Sequence, residues 1–116
     1  MSYEKRRNFP RRETSVEVNY EHGMESFTDY TINLSLGGLY IKTTRPLKTG
    51  SSITVDFTLP GFAYSFRIKG KVVWKKSAET DEGPPGMGIE FTELSKADEA
   101  ILLQYIGRSQ LTQKGY

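Results

Sequence analysis

Apolar and polar residues alternate along most of this chain. From residue 14 onward the apolar side chains fall at every second position, which is typical of antiparallel strands with one buried face. The pattern predicts six short strands, with apolar positions such as Val16 in the first, Ile53 in the fourth and Phe66 in the fifth. Gly70 lies inside the fifth strand and predicts a bulge or bend. Trp74 is predicted to share the core face of that strand with Phe66.

The spacing becomes helical near the end of the chain. Apolar residues recur at three- and four-residue intervals from Ala97 to Ile106, the period of an amphipathic helix. Ser95 and Asp98 resemble a capping box at its start, and Gly107 is predicted to end it. The predicted fold is therefore mainly β: a six-stranded antiparallel, split β-barrel with a C-terminal α-helix, because barrel closure removes exposed strand edges.

Composition divides the chain into three parts. The length of 116 residues suits a single domain, and the net charge is only +2. Five cations nevertheless lie in the first 13 residues, namely Lys5, Arg6, Arg7, Arg11 and Arg12. We predict a flexible basic arm over residues 1–13, a barrel with its helix over residues 14–107, and a loose tail over residues 108–116.

Several functional classes lack support in the sequence. There is no cysteine, and His22 is the only histidine, so neither a usual zinc site nor a thiol nucleophile is expected. No carboxylate pair or phosphate-binding glycine loop stands out, and we expect no catalytic activity. Neither a signal peptide nor an apolar run of membrane-spanning length occurs. A cytoplasmic protein without membrane insertion is expected.

A polar corner separates the second and third strands. It contains Asn33, Ser35, Gly37 and Gly38. The paired glycines predict backbone with positive φ, or a close approach by another group. Asn and Ser at such a corner either bond their own backbone as turns or present polar groups to a ligand.

The arm and the corner together resemble the PilZ domain family. Arg7 and Arg11 form the motif RxxxR, and residues 33–38 form [D/N]xSxxG about twenty-five residues later. Residues 70–74 and 86–91 are similar to two later strands of that family, so the resemblance covers residues 4–107. It implies a six-stranded barrel that binds the bacterial second messenger cyclic di-GMP, without a cofactor, and that signals to an effector protein in motility or biofilm regulation.

The resemblance also implies which residues bind the ligand. The implied set is Arg6, Arg7, Arg11, Asn33, Ser35, Gly37 and Gly38, with Trp74 as a further candidate. Guanidinium groups suit this role because they bond phosphate oxygens and can pair with a guanine edge. Arg6 is assigned to a second, stacked ligand molecule. An aromatic residue on a strand face is most often part of the core, so the place of Trp74 stays open.

Two alternatives remain open from the sequence. A barrel of the OB or cold-shock type would bind nucleic acid, but such proteins carry their cations on the barrel and not on one short arm. A member of the same family could also act as a ligand-independent adaptor between proteins. The intact motifs favour the receptor over both alternatives.

Overall fold

The computed structural model describes residues 11–78 and 83–114, with side chains for residues 13–78 and 83–107. The strands are β1 Arg11–His22, β2 Glu25–Ser35, β3 Gly38–Lys42, β4 Ser52–Thr58, β5 Ser65–Lys76 and β6 Gly86–Phe91, and the helix α1 is Lys96–Lys114. The strands form one closed barrel in the order β1-β2-β3-β6-β5-β4, and every neighbouring pair is antiparallel. The predicted fold class is confirmed. No helix within the described residues is long and apolar enough to cross a bilayer.

The barrel interior is filled by the alternating apolar residues that the sequence pattern selected. Val18, Val55 and Ile68 are among the side chains that are almost completely buried. Side chains on one face of a strand point the same way at every second position, so each strand contributes its apolar set to a single core. Burying such side chains is the main favourable contribution to folding, at about 25 cal/mol for each Å² removed from water.

Helix α1 covers one end of the barrel. Its residues Leu102, Tyr105 and Ile106 are buried in the same core as the strands. The Tyr105 hydroxyl lies 2.7 Å from the hydroxyl of Thr14 in β1, and its ring meets that of Phe62 edge to face at a centroid distance of 6.2 Å. The helix is thus fastened to the end of the barrel at which β1 begins.

The start of the helix agrees with the sequence prediction, but its end does not. The Asp98 amide donates a hydrogen bond to the Ser95 hydroxyl at 3.0 Å, as expected of an N-cap. The prediction that Gly107 ends the helix is wrong, because the backbone stays helical as far as Lys114. A glycine that ends a helix needs positive φ, and Gly107 has none. Glycine inside a helix costs only about 1 kcal/mol relative to alanine.

The bulge in β5 lies beyond the glycine that was expected to mark it. The register of β5 against β6 shifts between Val72 and Trp74, so Val73 is the extra residue. Gly70 is buried at a place where a Cβ would come within 2.6 Å of the Ile89 side chain. One extra residue in a strand moves the side chains that follow it to the opposite face of the sheet. Trp74 therefore does not lie on the core face. The prediction that Trp74 shares that face with Phe66 is wrong.

The barrel closes through a short ladder. β1 and β4 pair at only three positions, from Asn19 opposite Asp56 to Glu21 opposite Thr54, whereas β4 and β5 pair at seven. Towards the start of β1 the two strands leave a surface groove of about 670 Å³. The barrel is closed here by its shortest ladder.

Candidate ligand-binding site

The pairing of β1 with β2 brings the two sequence motifs together. Arg11 lies opposite Ser35, and Arg12 lies opposite Leu34. Strand β1 thus begins at Arg11, three residues before the alternating pattern that predicted it at Thr14. The last arginine of RxxxR is placed beside the serine of [D/N]xSxxG by backbone pairing, although 23 positions separate them in the sequence.

Ser35 holds the corner between β2 and β3. Its side chain is buried, with 3% of its surface exposed. The hydroxyl accepts a hydrogen bond from the Gly37 amide at 3.2 Å and donates one to the Gly38 carbonyl oxygen at 3.3 Å. A hydroxyl has a single proton to donate, so donation to a ligand would require giving up the bond to Gly38. Ser35 therefore shapes the corner through the backbone of Gly37 and Gly38.

The two glycines of the corner do not have positive φ, and that part of the prediction is wrong. The alternative, a close approach, is what the structure shows at Gly38. A Cβ at this position would overlap the carbonyl oxygen of Ile89 in β6, at 1.8 Å. Gly37 is tied to the same strand, because its carbonyl oxygen accepts a hydrogen bond of 2.9 Å from the Phe91 amide. Close packing of β3 on β6 is the reason for Gly38.

A bulge in β2 sets the position of Asn33. The register of β2 against β3 shifts between Thr31 and Asn33. The hydroxyl of the fully buried Thr31 lies 2.8 Å from the Tyr40 carbonyl oxygen and 2.9 Å from that of Asn33, so it satisfies carbonyl groups at the bulge. The half-buried Asn33 amide makes no hydrogen bond to any residue that the structure describes. Its donor and acceptor groups are thus available at the corner.

A row of paired residues crosses five strands at the level of Asn33. Glu13 in β1 pairs with Asn33, Asn33 with Tyr40 in β3, Tyr40 with Gly88 in β6, and Gly88 with Trp74 in β5. Residues directly opposite each other share a face of the sheet. Tyr40 lies between the fully buried Leu39 and Ile41, so this row is on the outer face of the barrel.

Tyr40 and Trp74 form an aromatic pair in this row. Their rings stack with a centroid distance of 5.2 Å and an interplanar angle of 30°. Gly88 has no side chain between the two strands, which allows the rings to meet. A Cβ on Gly86 would lie 2.7 Å from the Tyr40 ring, so this second glycine of β6 is also part of the arrangement. Trp74 therefore lies on the same outer face as Asn33.

The Tyr40 side chain is fixed at its far end as well. Its hydroxyl donates a 2.7 Å hydrogen bond to the Pro84 carbonyl oxygen in the loop before β6. Burial raises the pKa of this phenol, because the charged phenolate is disfavoured away from water. Tyr40 stays neutral and supports Trp74 as a rigid neighbour.

The site residues predicted from the sequence are only partly described. Asn33, Ser35, Gly37 and Gly38 lie together at the corner, and Trp74 lies two strands away from β3 on the same face. The backbone of Arg11 adjoins them. Arg6 and Arg7, as well as the side chain of Arg11, lie outside the described residues.

Sequence reasoning missed two residues that build this surface. The alternating pattern predicts only that Tyr40 lies in a strand. The alternating glycines at residues 86 and 88 are the signal that could have indicated space for an aromatic ring beside it. Thr31 gave no signal, because a threonine in a strand is ordinary. Across residues 11–78 and 83–114, no three His, Cys, Asp or Glu side chains cluster in a way that could hold a metal ion.

Comparison with known proteins identifies the family. The family model for the PilZ domain matches residues 5–108, nearly the whole chain, so this protein belongs to the PilZ domain family. The predicted resemblance is confirmed. No curated protein matches the chain in sequence.

Solved structures show the same fold at low sequence identity. The inhibitor of motility MotI/DgrA from Bacillus subtilis aligns with a TM-score of 0.75 and 21% identity, over 90% of this chain and 51% of that protein. The PilZ domain of YcgR from Escherichia coli, solved with c-di-GMP, aligns with a TM-score of 0.68 and 16% identity, over 95% of this chain and 97% of that one. The PilZ domain of CeSA from a cellulose-synthesizing bacterium aligns with a TM-score of 0.62 and 17% identity, over 86% of this chain and 97% of that one. This chain thus spans about half the length of the Bacillus protein.

Proposed function

We propose that this protein is a cyclic di-GMP receptor that passes the signal to an effector protein. The observation that carries the proposal is the pairing of Arg11 with Ser35, which joins the two motifs at one corner of the barrel. The similarity to a PilZ domain solved with c-di-GMP supports it. We further propose that the chain acts without catalysis, in the cytoplasm, with the ligand as its only small-molecule partner.

Arginine side chains supply the affinity in this proposal. Cyclic di-GMP carries two phosphodiester groups and two guanines. A guanidinium group bonds phosphate oxygens with charge assistance, and it matches the O6 and N7 acceptors of guanine in a bidentate manner. Arg7 and Arg11 bind from the arm, while Arg6 holds a second ligand molecule stacked on the first.

The corner and the aromatic pair form the receiving surface. Asn33 offers an amide with both a donor and an acceptor to a guanine edge. The corner residues Gly37 and Gly38 present backbone groups to the ligand, and Ser35 keeps them in place. Trp74, which lies on the Asn33 face and is backed by Tyr40, bounds the site on the β5 side.

The arm is the element that changes on binding. We propose that residues 5–12 of the basic arm order across the barrel when the ligand neutralises their charges. Because Arg11 and Arg12 already pair with β2, the segment that orders is narrowed to residues 5–10. Phe9 then gains apolar surface to pack against, and the effector protein meets a different face. This is a disorder-to-order switch, whose ordering cost is subtracted from the ligand's binding energy.

Calorimetric titration of the whole chain with cyclic di-GMP tests the proposal. GTP and linear diguanylate serve as control ligands, because they carry guanine and phosphate groups but lack the closed dinucleotide ring. We expect saturable binding of the cyclic dinucleotide alone, with the heat lost in an Arg7→Ala and Arg11→Ala double variant. The variant Lys69→Ala, which removes an exposed cation from β5, is the matched control. Equal binding by the double variant would refute the assignment of the arm.

A further inference from the structure

A second surface lies at the opposite end of β3 from the ligand corner. Four exposed cations surround this end, Lys42, Arg45, Lys48 and Lys75, and we call them the basic rim. Lys42 ends β3, and Lys75 pairs with Met87 near the start of β6. The Leu47 amide lies 3.4 Å from the Met87 sulfur, which brings the loop that carries the other two cations to the same end.

The cations of the basic rim form no ion pairs with described residues. Within residues 13–78 and 83–107, both salt bridges belong to Arg67, which binds Asp56 and Glu21. None of the four rim cations makes an ion pair with a described carboxylate. The rim is thus a local excess of positive charge on a chain whose net charge is only +2.

An open groove of about 730 Å³ adjoins the basic rim at Lys42. Tyr30 and Ile32 form one wall, and Pro84 and Pro85 form the other. The ring of Tyr30 is well exposed, with 51% of its surface in solvent. Aromatic and proline surfaces side by side, with a few polar groups at one end, are typical of a site for an apolar side chain.

Hydrogen bonds from Tyr40 in β3 and from Thr43, which follows β3, fix the proline wall of the groove. The Tyr40 hydroxyl fixes Pro84 at 2.7 Å, and the Thr43 amide donates to the Pro85 carbonyl oxygen at 3.2 Å. Asp29 also lines the groove, but its carboxylate accepts a 2.8 Å hydrogen bond from the Tyr20 hydroxyl. The wall of the groove is therefore built from fixed backbone and already present without a partner.

We propose that the groove and the basic rim bind an extended acidic segment of a partner protein. An apolar or aromatic side chain of that segment lies between Tyr30 and the two prolines, and its carboxylates face Lys42 and Arg45. Glu17 pairs with Tyr30 from β1, on the side away from Lys42, so the acidic end of the segment points towards the rim. The proposal rests on the proposed function in one respect: it names the kind of effector to which the receptor signals.

Charge complementarity decides between possible occupants. Nucleic acid is bound through a track of cations interleaved with exposed aromatic rings, whereas Tyr30 is the one aromatic residue among the described residues that line this groove. A flat anionic membrane would contact the rim but would leave the groove unfilled. An acidic peptide with one apolar anchor uses both features.

Nuclear magnetic resonance titration of the intact chain tests the surface. The probe is a synthetic peptide of four glutamates followed by phenylalanine and leucine, and the control peptide has lysine in place of glutamate. We expect amide shifts at residues 30, 42–45 and 75–77, and only with the acidic probe. The double variant Lys42→Glu and Arg45→Glu should bind about tenfold more weakly, as should Tyr30→Ala. The matched double variant Lys69→Glu and Lys71→Glu should bind within about twofold of the native chain.

Four results would overturn the proposal. These are equal binding of the two peptides, undiminished binding by the Lys42 and Arg45 double variant, and stronger rim-dependent binding of phosphatidylglycerol vesicles or single-stranded DNA. The fourth concerns the acids Glu79, Asp81 and Glu82, which follow Ala78 in the sequence. If the acidic peptide binds only after these three acids are replaced by glutamine or asparagine, the acids of this chain compete with the partner for the basic rim. Titrating the same samples with cyclic di-GMP separates the two proposals, since either site can fail alone.

Discussion

The hydroxyl groups of Thr14 and Tyr105 lie 2.7 Å apart and join β1 to the helix across 91 residues of sequence. Thr14 follows the RxxxR motif by three residues, at the point where β1 loses register with β2 between Glu13 and Val16. The helix thus holds the irregular start of β1, the part of the barrel nearest to the arm.

Breaking this link should lower the stability of the fold. Tyr105→Phe and Thr14→Val should each reduce the free energy of unfolding, and a hydrogen bond of this kind contributes about 0.5–1.5 kcal/mol. Tyr105 has other contacts, such as that with Phe62, so a double-mutant cycle measured by urea unfolding is needed to isolate the pair. A coupling energy near zero would mean that the hydrogen bond between the two hydroxyls does not stabilise the fold.

Loss of either arm arginine should weaken ligand binding without changing the apo fold. Arg7→Ala or Arg11→Ala removes a charge-assisted contact worth about 1.5–3 kcal/mol, or roughly ten- to a hundredfold in dissociation constant. Calorimetry gives the affinity, and thermal unfolding without ligand gives the control. Full affinity in both single variants would show that the arm does not bind the ligand.

Two glycine-to-alanine substitutions should have opposite effects. Gly38→Ala places a methyl group against the Ile89 carbonyl oxygen, and overpacking of this kind costs about 1–3 kcal/mol or more. Gly107→Ala has open space around the added methyl group and should stabilise the helix by about 1 kcal/mol. Urea unfolding measures both. A destabilising Gly107→Ala would indicate that this glycine ends the helix after all.

Ordering of the arm should be visible in backbone dynamics. Residues 5–10 should have nuclear magnetic resonance order parameters below about 0.6 without ligand and near about 0.85 at saturation with cyclic di-GMP. Residues 16–20 of β1 provide the rigid reference in both states. The switch is excluded if the arm is rigid from the outset, and equally if it stays mobile when the ligand is bound.

Stability should fall in alkaline solution partly because of one buried phenol. Burial raises the pKa of Tyr20, and its hydrogen bond to Asp29 raises it further. Above about pH 10 the unfolded chain releases this proton while the folded chain retains it. The contribution of Tyr20 to stability is therefore complete below that pH and is lost as the pH rises towards its folded-state value, with a slope of up to about 1.4 kcal/mol per pH unit.

Urea unfolding at several pH values between about 9 and 11 measures this slope. Tyr20→Phe should remove the part of the slope that Tyr20 contributes, because the phenol is gone. Asp29→Asn should reduce that part, because it removes the carboxylate that favours the protonated phenol. Tyr40, whose pKa burial also raises, leaves a residual slope in each variant. An unchanged slope in Tyr20→Phe would contradict the prediction.

The fold could be predicted from the sequence because its signals are local. Alternation at Val16 and Ile53 fixes which side of a strand is buried, and the period change after Ser95 separates the helix from the sheet. Bulges have no such signal: the extra residue at Val73 depends on how β5 meets β6, and it turns Trp74 away from the face that Phe66 occupies.

The candidate site was predictable as a set of motifs but not as an arrangement. Nothing in the sequence places Arg11 opposite Ser35, because register depends on the whole β1–β2 hairpin. Gly38 was correctly singled out, yet the cause of its small size is the neighbouring strand β6. The role of Tyr40 depends on two glycines 46 and 48 residues later in the chain, a relationship that only the folded sheet reveals.

The short ladder between β1 and β4 gives the barrel a preferred way to come apart. Only three residue pairs close this seam, so parting β1 from β4 breaks fewer hydrogen bonds than opening the ladders on either side. The product is an unrolled sheet in which the β1–β2 hairpin, and with it the ligand corner, remains assembled. Partial unfolding of this kind has a lower free energy than global unfolding. The corner can therefore persist in a state in which the closed barrel has been lost.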